Sequence, residues 1–425
     1  MSVIKNILKD IPFPKMVKIK QKFNPTHLEN LIEKLQEELQ QREGMDQIKA
    51  GYQVGICVGS RGVANIDTVT KTVVEAIKEK GAIPFIVPCM GSHGGATAEG
   101  QKEVLEHLGV SEETMGAPIK SSMEVIQVDA LENGLPIYVD KYCAEADAII
   151  VINRVKPHTA FRGPIESGLM KMITIGLGKQ KGAESCHQMG FKYMAEIVPK
   201  AARKIMQKVP IVFGVALVEN AYDKTCVVEV VPSAQIEKRE TQLLIEAKAR
   251  MPRFLFDQMD VLVLDYIGKN VSGDGMDPNI TGKYPTPYAR GGPDITKVVV
   301  LDLTPETGGN GNGVGIADFT TKSVVDKMDL EITYANGLTS TVCTPTKIAT
   351  YLENDEYAIK AAIKTCNILD YNQCRLVRIK DTLHLGEIEI SEAMLEEVKK
   401  HEDIEIISEP YEWQFDENGN LLDKE

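Results

Sequence analysis

Residues 53-QVGICVGSRGVANIDTVTKTVVEAIKEKGAIPFIVPCMGSHGG-95 decide the reading of the fold. Two near-continuous apolar runs, VGICVG and PFIVPCMG, suit strands covered on both faces, as in a parallel sheet. Between them, the segment from about Asp67 to Lys80 has the apolar spacing of an amphipathic helix, and Gly81 suits its C-terminal stop. Each run ends in a glycine-bearing loop, 59-GSRG-62 and 91-GSHGG-95. Strand, loop, helix, strand, loop is the repeating unit of a doubly wound α/β sheet, in which ligands sit beyond the carboxyl ends of the strands. A further helix over 97–109 opens with Thr97 as a plausible N-cap.

The same alternation continues outward. A helix over 26–45 precedes it. Strand 147–155, helix 191–208, strand 210–219, helix 233–251, strand 260–268, strand 297–305, a helix-like stretch over 345–366 and strand 374–381 follow. The expected fold is therefore α/β: two α/β domains with mainly parallel sheets and an active-site cleft between them. Residues 1–255 form the expected cofactor-binding and catalytic domain, and 256–404 a smaller C-terminal α/β domain. The tail 405–425 is expected to pack back on the first domain, with the acidic, poorly apolar 417-ENGNLLDKE-425 mobile.

Composition removes several classes. At 425 residues the chain exceeds one ordinary core. A net charge of −13 argues against a nucleic-acid partner, because phosphate binding needs clustered Lys and Arg. No apolar run reaches the roughly 18–20 residues that span a bilayer, and the N-terminus lacks a signal-peptide pattern. The expected compartment is the cytoplasm, and no membrane partner is expected. The eight cysteines are scattered with no CxxC pair, which predicts free, mostly buried thiols and no zinc-finger site. The sequence allows a homodimer without requiring one.

Beyond the third strand lies 158-HTAFRGPIESGLMKMITIGLGKQKGAESCH-187, with a histidine at each end and Lys171 between them. Imidazole and ammonium groups are costly beside an apolar run such as 169-LMKMITIGL-177, so a chemical role is the sharper reading. The blander one makes Lys171 a snorkelling side chain on a helix face. His93, His158 and His187 stand in glycine- and serine-containing surroundings near strand ends, whereas His27, His107, His384 and His401 read as structural. Neither GxxxxGK[ST] nor the dinucleotide fingerprint is present, which weakens nucleotide hydrolysis and NAD binding as readings.

Taken in order, Arg61 in GSRG, His93 in GSHGG, His158 in 155-VKPHTAFRG-163, Lys171 in SGLMK and His187 sixteen residues on resemble the lactate racemase family. The loop 268-GKNVSGDGMDPNITGK-283 is similar to a loop of the same family, and the resemblance is densest from about 50 to 290. It implies a 2-hydroxy acid racemase or epimerase that uses a nickel-pincer nucleotide and Ni2+. Lys171 would carry the covalently tethered nucleotide, and His187 would ligate nickel. Ser167 and Gly168, in 163-GPIESG-168, would bring backbone N–H groups to the phosphate, with Lys179 also facing it. His93 and His158 would be the paired acid–base catalysts. Arg61, with Lys269 and Asn270 from the later loop, would hold the substrate. The implied partners are a small 2-hydroxy acid and the cofactor-synthesis enzymes.

Two features depart from the family pattern. The interval from His158 to Lys171 is longer by a few residues, and the only tryptophan, Trp413, lies in the C-terminal tail. A 2-hydroxy acid other than lactate is the expected substrate. The competing readings are a zinc hydrolase with a site of His93, His158 and His187, and a non-catalytic binder of small anions through Arg61 and Lys269.

Overall fold

The computed structural model describes residues 3–60 and 62–424. The chain forms two compact units, one of residues 24–251 and one that joins residues 1–23 to 252–425. Strand β1 (Met16–Gln21) belongs to the second of these, and its Met16, Val17 and Ile19 are fully buried there.

The 24–251 unit is built around β2 (Gln53–Val58), β3 (Ile83–Pro88), a hairpin of β4 (Val125–Ala130) and β5 (Pro136–Asp140), β6 (Ala148–Arg154), β7 (Ile211–Glu219) and β8 (Thr225–Pro232). The main sheet has the order β3-β2-β6-β7-β8, parallel except for β8. Every residue of β7 is buried, as expected for a strand covered on both faces. Helices α1 (Leu31–Gln41) and α2 (Ile66–Glu79) place Leu35, Val69, Val73 and Ile77 in one core cluster with Ile56 and Ile150. Gly81 has φ +75°, a left-handed conformation suited to stopping α2. Thr97 caps α3 (Ala98–His107), accepting the Gly100 amide at 3.1 Å. Then come α4 (Lys179–Gln188), α5 (Met194–Lys208) and α6 (Ile236–Arg250).

The other unit carries β9 (Gln258–Ile267), β10 (Asp294–Leu303), β11 (Phe319–Thr321), β12 (Thr350–Leu352), β13 (Leu376–Ile379), β14 (Glu387–Ser391) and β15 (Ile404–Ile406). Its eight strands run β12-β11-β10-β9-β13-β14-β1-β15, parallel from β12 to β13 and antiparallel beyond.

Here the structure draws the division differently from the sequence reading. Residues 1–23 do not join the domain expected to reach 255, because β1 is an interior strand between β14 and β15. The tail is part of the same unit as β1. Trp413 and Phe415 stack against each other, and both meet Phe13. The end of the chain is anchored too: Leu421 is buried, and Lys424 pairs with the buried Asp355 at 3.0 Å. The helix expected over 345–366 is confined to Asp355–Thr365, because 350–352 form β12 and Asn354 caps the helix by accepting the Tyr357 amide. All eight cysteines are free thiols, seven of them buried. Among the described residues no helix is long and apolar enough to cross a membrane.

Candidate active site

The loops after β2 and β3 meet, as two strand ends in a parallel sheet should. The Ser60 hydroxyl is hydrogen-bonded to His93 Nδ1. The His93 ring is exposed, but its backbone is fixed. Gln101, fully buried on α3, donates to the carbonyls of Gly91 at 2.9 Å and His93 at 3.2 Å. Gly94 is required here. Its φ is +64°, and a Cβ would lie 2.6 Å from the backbone of Gly100. Arg61, expected to hold the substrate, lies outside the described residues.

After β6 the chain closes a small loop, and backbone hydrogen bonds run both ways between Lys156 and Ser167. Buried Glu166 accepts the His158 amide at 2.8 Å and the Lys248 ammonium at 2.6 Å. The His158 ring is thereby held against Phe161, with centroids 4.4 Å apart, and its Nδ1 accepts the Ala160 amide at 3.0 Å. Its Nε2 stands 2.8 Å from Lys171 Nζ. The contact joins the imidazole directly to the Lys171 side-chain nitrogen.

Lys171 ends a short helical turn, Leu169–Lys171, that runs into a π-helical turn over Met172–Gly176. Such turns occur often at functional sites. His187, in the last turn of α4, stacks on Phe191 at 5.6 Å and 23°, and Phe191 also reaches the His158 ring at 6.0 Å. His158 and His187 thus share Phe191, and Lys171 joins them through His158.

Two expected cofactor contacts, Lys179 and the Ser167 amide, are engaged elsewhere. Lys179 does not face outward. It is wholly buried, donating to Pro88 O and, at 3.1 Å, to Gln101 Oε1, with Asp140 Oδ2 at 3.4 Å. Its place is structural, since a buried ammonium needs such partners. The Ser167 amide is committed to Lys156 O at 3.2 Å and does not point at a phosphate. At Gly168 a Cβ would lie 2.7 Å from the Glu240 carboxyl carbon, so the close approach of that side chain requires glycine.

Sequence reasoning missed Glu240. From α6 it reaches the start of the Lys171 segment, where Oε2 accepts the Met170 amide at 2.8 Å and Oε1 has no hydrogen-bond partner. Burial, opposed by the Met170 and Leu169 amides, pushes its carboxyl up to about 7. No local signal marks it, because it stands 69 residues from Lys171 in an ordinary charged helix. Ser60 and Phe191 were also missed, although Ser60 stands within the quoted GSRG loop.

Lys269 and Asn270 lie in the other unit. Lys269 Nζ donates to Gly273 O at 2.7 Å, and Asn270 Oδ1 accepts from Thr304 at 2.7 Å, so both brace their own loop. Among the described residues, the only group of three or more metal-ligand side chains with donor atoms within 4.8 Å of one another is Cys57, Cys89 and Cys143. His93, His158 and His187 do not form the three-histidine zinc site that the hydrolase reading requires.

Residues 10–197 match the family model "Lactate racemase N-terminal domain". The fold is similar to that of the lactate racemase apoprotein from Thermoanaerobacterium thermosaccharolyticum, with a TM-score of 0.53 and 13% identity over 86% of this chain and 98% of that one. No curated protein sequence matches the chain. Over residues 10–197 the chain is thus similar to the N-terminal domain of lactate racemases, and its fold is similar to that of a whole one.

Proposed function

We propose that the protein is a racemase or epimerase of a 2-hydroxy acid, working by reversible hydride transfer with a nickel-pincer nucleotide. The observation that carries this reading is the contact of Lys171 with His158 and the packing of His158 and His187 against Phe191. The donor set fits such a group. Lys171 supplies an amine for a covalent tether, and His187 an imidazole, a good ligand for nickel. When bound, the cofactor would supply a hydride acceptor, which spares the substrate a carbanion beside a carboxylate.

The chain's own residues do the rest. His93 and His158 move the hydroxyl proton, each as base for one enantiomer and acid for the other. Ser60 fixes the ring of His93. His158 Nε2, 2.8 Å from Lys171 Nζ, is placed to take the proton that this nitrogen must lose before it forms a bond. Arg61 would orient the carboxylate. The carboxyl of Glu240 holds the Lys171 segment in place.

The test is turnover of D- and L-2-hydroxy acids in deuterated water, using protein produced beside the cofactor-synthesis enzymes. Hydride return leaves Cα largely unlabelled. Full solvent deuterium at Cα would point to proton abstraction and overturn the mechanism.

A further inference from the structure

Cys57 lies in β2, Cys89 one residue past β3, and Cys143 in the short helix Lys141–Ala144. All three are buried, at 0%, 2% and 0% exposure. Their sulfurs lie within 4.8 Å of one another, and Cys57 and Cys143 are 3.6 Å apart. A metal–sulfur bond of about 2.3 Å puts three sulfurs in a planar trigonal set about 4 Å apart. The apo spacing is already close to that.

A second observation concerns charge. Three thiolates would be intolerable in a dry core without a counter-charge. Lys179 supplies one, wholly buried and held by Pro88 O and Gln101 Oε1. Three thiolates, the Asp140 carboxylate that caps the Cys143 helix and the Lys179 ammonium sum to −3, so a divalent cation offsets more of the charge than a monovalent one.

We propose that Cys57, Cys89 and Cys143 form a site for a thiophilic d10 cation, Zn(II) or Cu(I). Thiolate ligands select such ions. The three thiols release three protons, form three metal–sulfur bonds, and undergo no change of oxidation state. The charge sum favours the divalent ion and the planar spacing the monovalent one. The bound ion cross-links β2, the end of β3 and the Cys143 helix. That stiffens the bases of the loops carrying Ser60 and His93, three and four residues further along. Spacings of 57, 89 and 143 match no ligand motif, so the site exists only once the sheet forms.

The experiment uses full-length reduced protein, stripped with a chelator and made without the cofactor-synthesis enzymes. It is titrated with Zn(II), and anaerobically with Cu(I), each against a chromophoric competitor. Cd(II) serves as a spectroscopic probe through its sulfur-to-metal absorption. The expected result is one ion per chain, a sulfur charge-transfer band and a raised melting temperature. Cys57→Ser and Cys143→Ser should each weaken binding by at least the roughly 10–100-fold known for outer-shell partners. Cys186→Ser and Cys366→Ser, at buried thiols outside the cluster, should leave it unchanged. Lys179→Met keeps all three sulfurs and should still weaken Zn(II) binding, which keeps the test open if a cysteine variant misfolds. Binding well below one ion per chain, or absence of the sulfur band, would overturn the proposal. So would binding lost in His187→Ala but kept in Cys57→Ser, an outcome that leaves the racemase reading intact.

Discussion

Replacing Glu240 by glutamine should make the stability of the 24–251 unit less dependent on pH. The carboxyl is fully buried and titrates at about 7, against 4.5 for an ordinary glutamate. At about 1.4 kcal/mol per pH unit, that difference is worth roughly 3 kcal/mol. The sign follows from linkage. The folded pKa lies above the unfolded one, so the native state binds the proton more tightly and stability falls as pH rises from about 4.5 through about 7. Glu240→Gln keeps an acceptor for the Met170 amide and removes the ionisation. Its extra amide N–H, beside the position of the unpartnered Oε1, adds a penalty of about 1–3 kcal/mol that does not vary with pH. The variant should therefore gain on the wild type by roughly 3 kcal/mol between pH 5 and pH 8, whatever the constant offset. Urea unfolding followed by circular dichroism measures this. The single tryptophan, Trp413, belongs to the other unit, so a transition silent in its fluorescence reports residues 24–251. Parallel stability curves for the two proteins, or a wild type that gains with pH, would refute the reasoning.

Other expectations follow from the same contacts. Gly168→Ala drives a methyl group to 2.7 Å from the Glu240 carboxyl, so it should cost about 1–3 kcal/mol as overpacking and displace Lys171, measured by denaturation and by the acylation rate of that lysine. His93→Ala and His158→Ala should each lower racemisation by about 10²–10⁴-fold in both directions, while Ser60→Ala, which removes only the partner of His93, should cost less. In the other unit, Arg378 makes a two-pronged pair with buried Asp265, both bonds 2.9 Å, and reaches Asp423 at 3.0 Å. Arg378→Met leaves Asp265 buried without its partner, so it should destabilise that unit by about 3–5 kcal/mol and loosen the tail, read by Trp413 fluorescence.

How much of this was legible in the sequence depends on whether the signal is local. The β2–α2–β3 run is written in apolar periodicity and one left-handed glycine, and the structure places β2 and α2 within a residue of the expectation, while β3 ends at Pro88, three residues before the end of the apolar run. Thr97 announced its cap in the same way. The strand β1 could not be assigned to its sheet, because its partners begin at Glu387 and nothing local encodes such pairing. The tail looked soluble by composition, yet single residues decide its fate: Trp413, Phe415 and Leu421 find apolar partners and Lys424 finds Asp355. In the candidate site, the order His93, His158, Lys171, His187 was readable as a pattern of chemistry-bearing residues. Their supports were not. Glu240 and Glu166 look like any helix or loop carboxylate until burial gives them roles. Lys179 misled for the same reason, since a lysine two residues from another reads as a basic surface, whereas its left-handed backbone turns it into the core.

The central claim is that Lys171 is the attachment point of the cofactor on which racemisation depends. Intact-mass spectrometry with peptide mapping, on protein produced beside the cofactor-synthesis enzymes, tests it most directly. The account predicts one covalent addition on the peptide containing Lys171, absent from Lys171→Ala. His187→Ala should keep the organic addition while nickel is lost. A demonstrably active enzyme whose Lys171 carries no addition would contradict it.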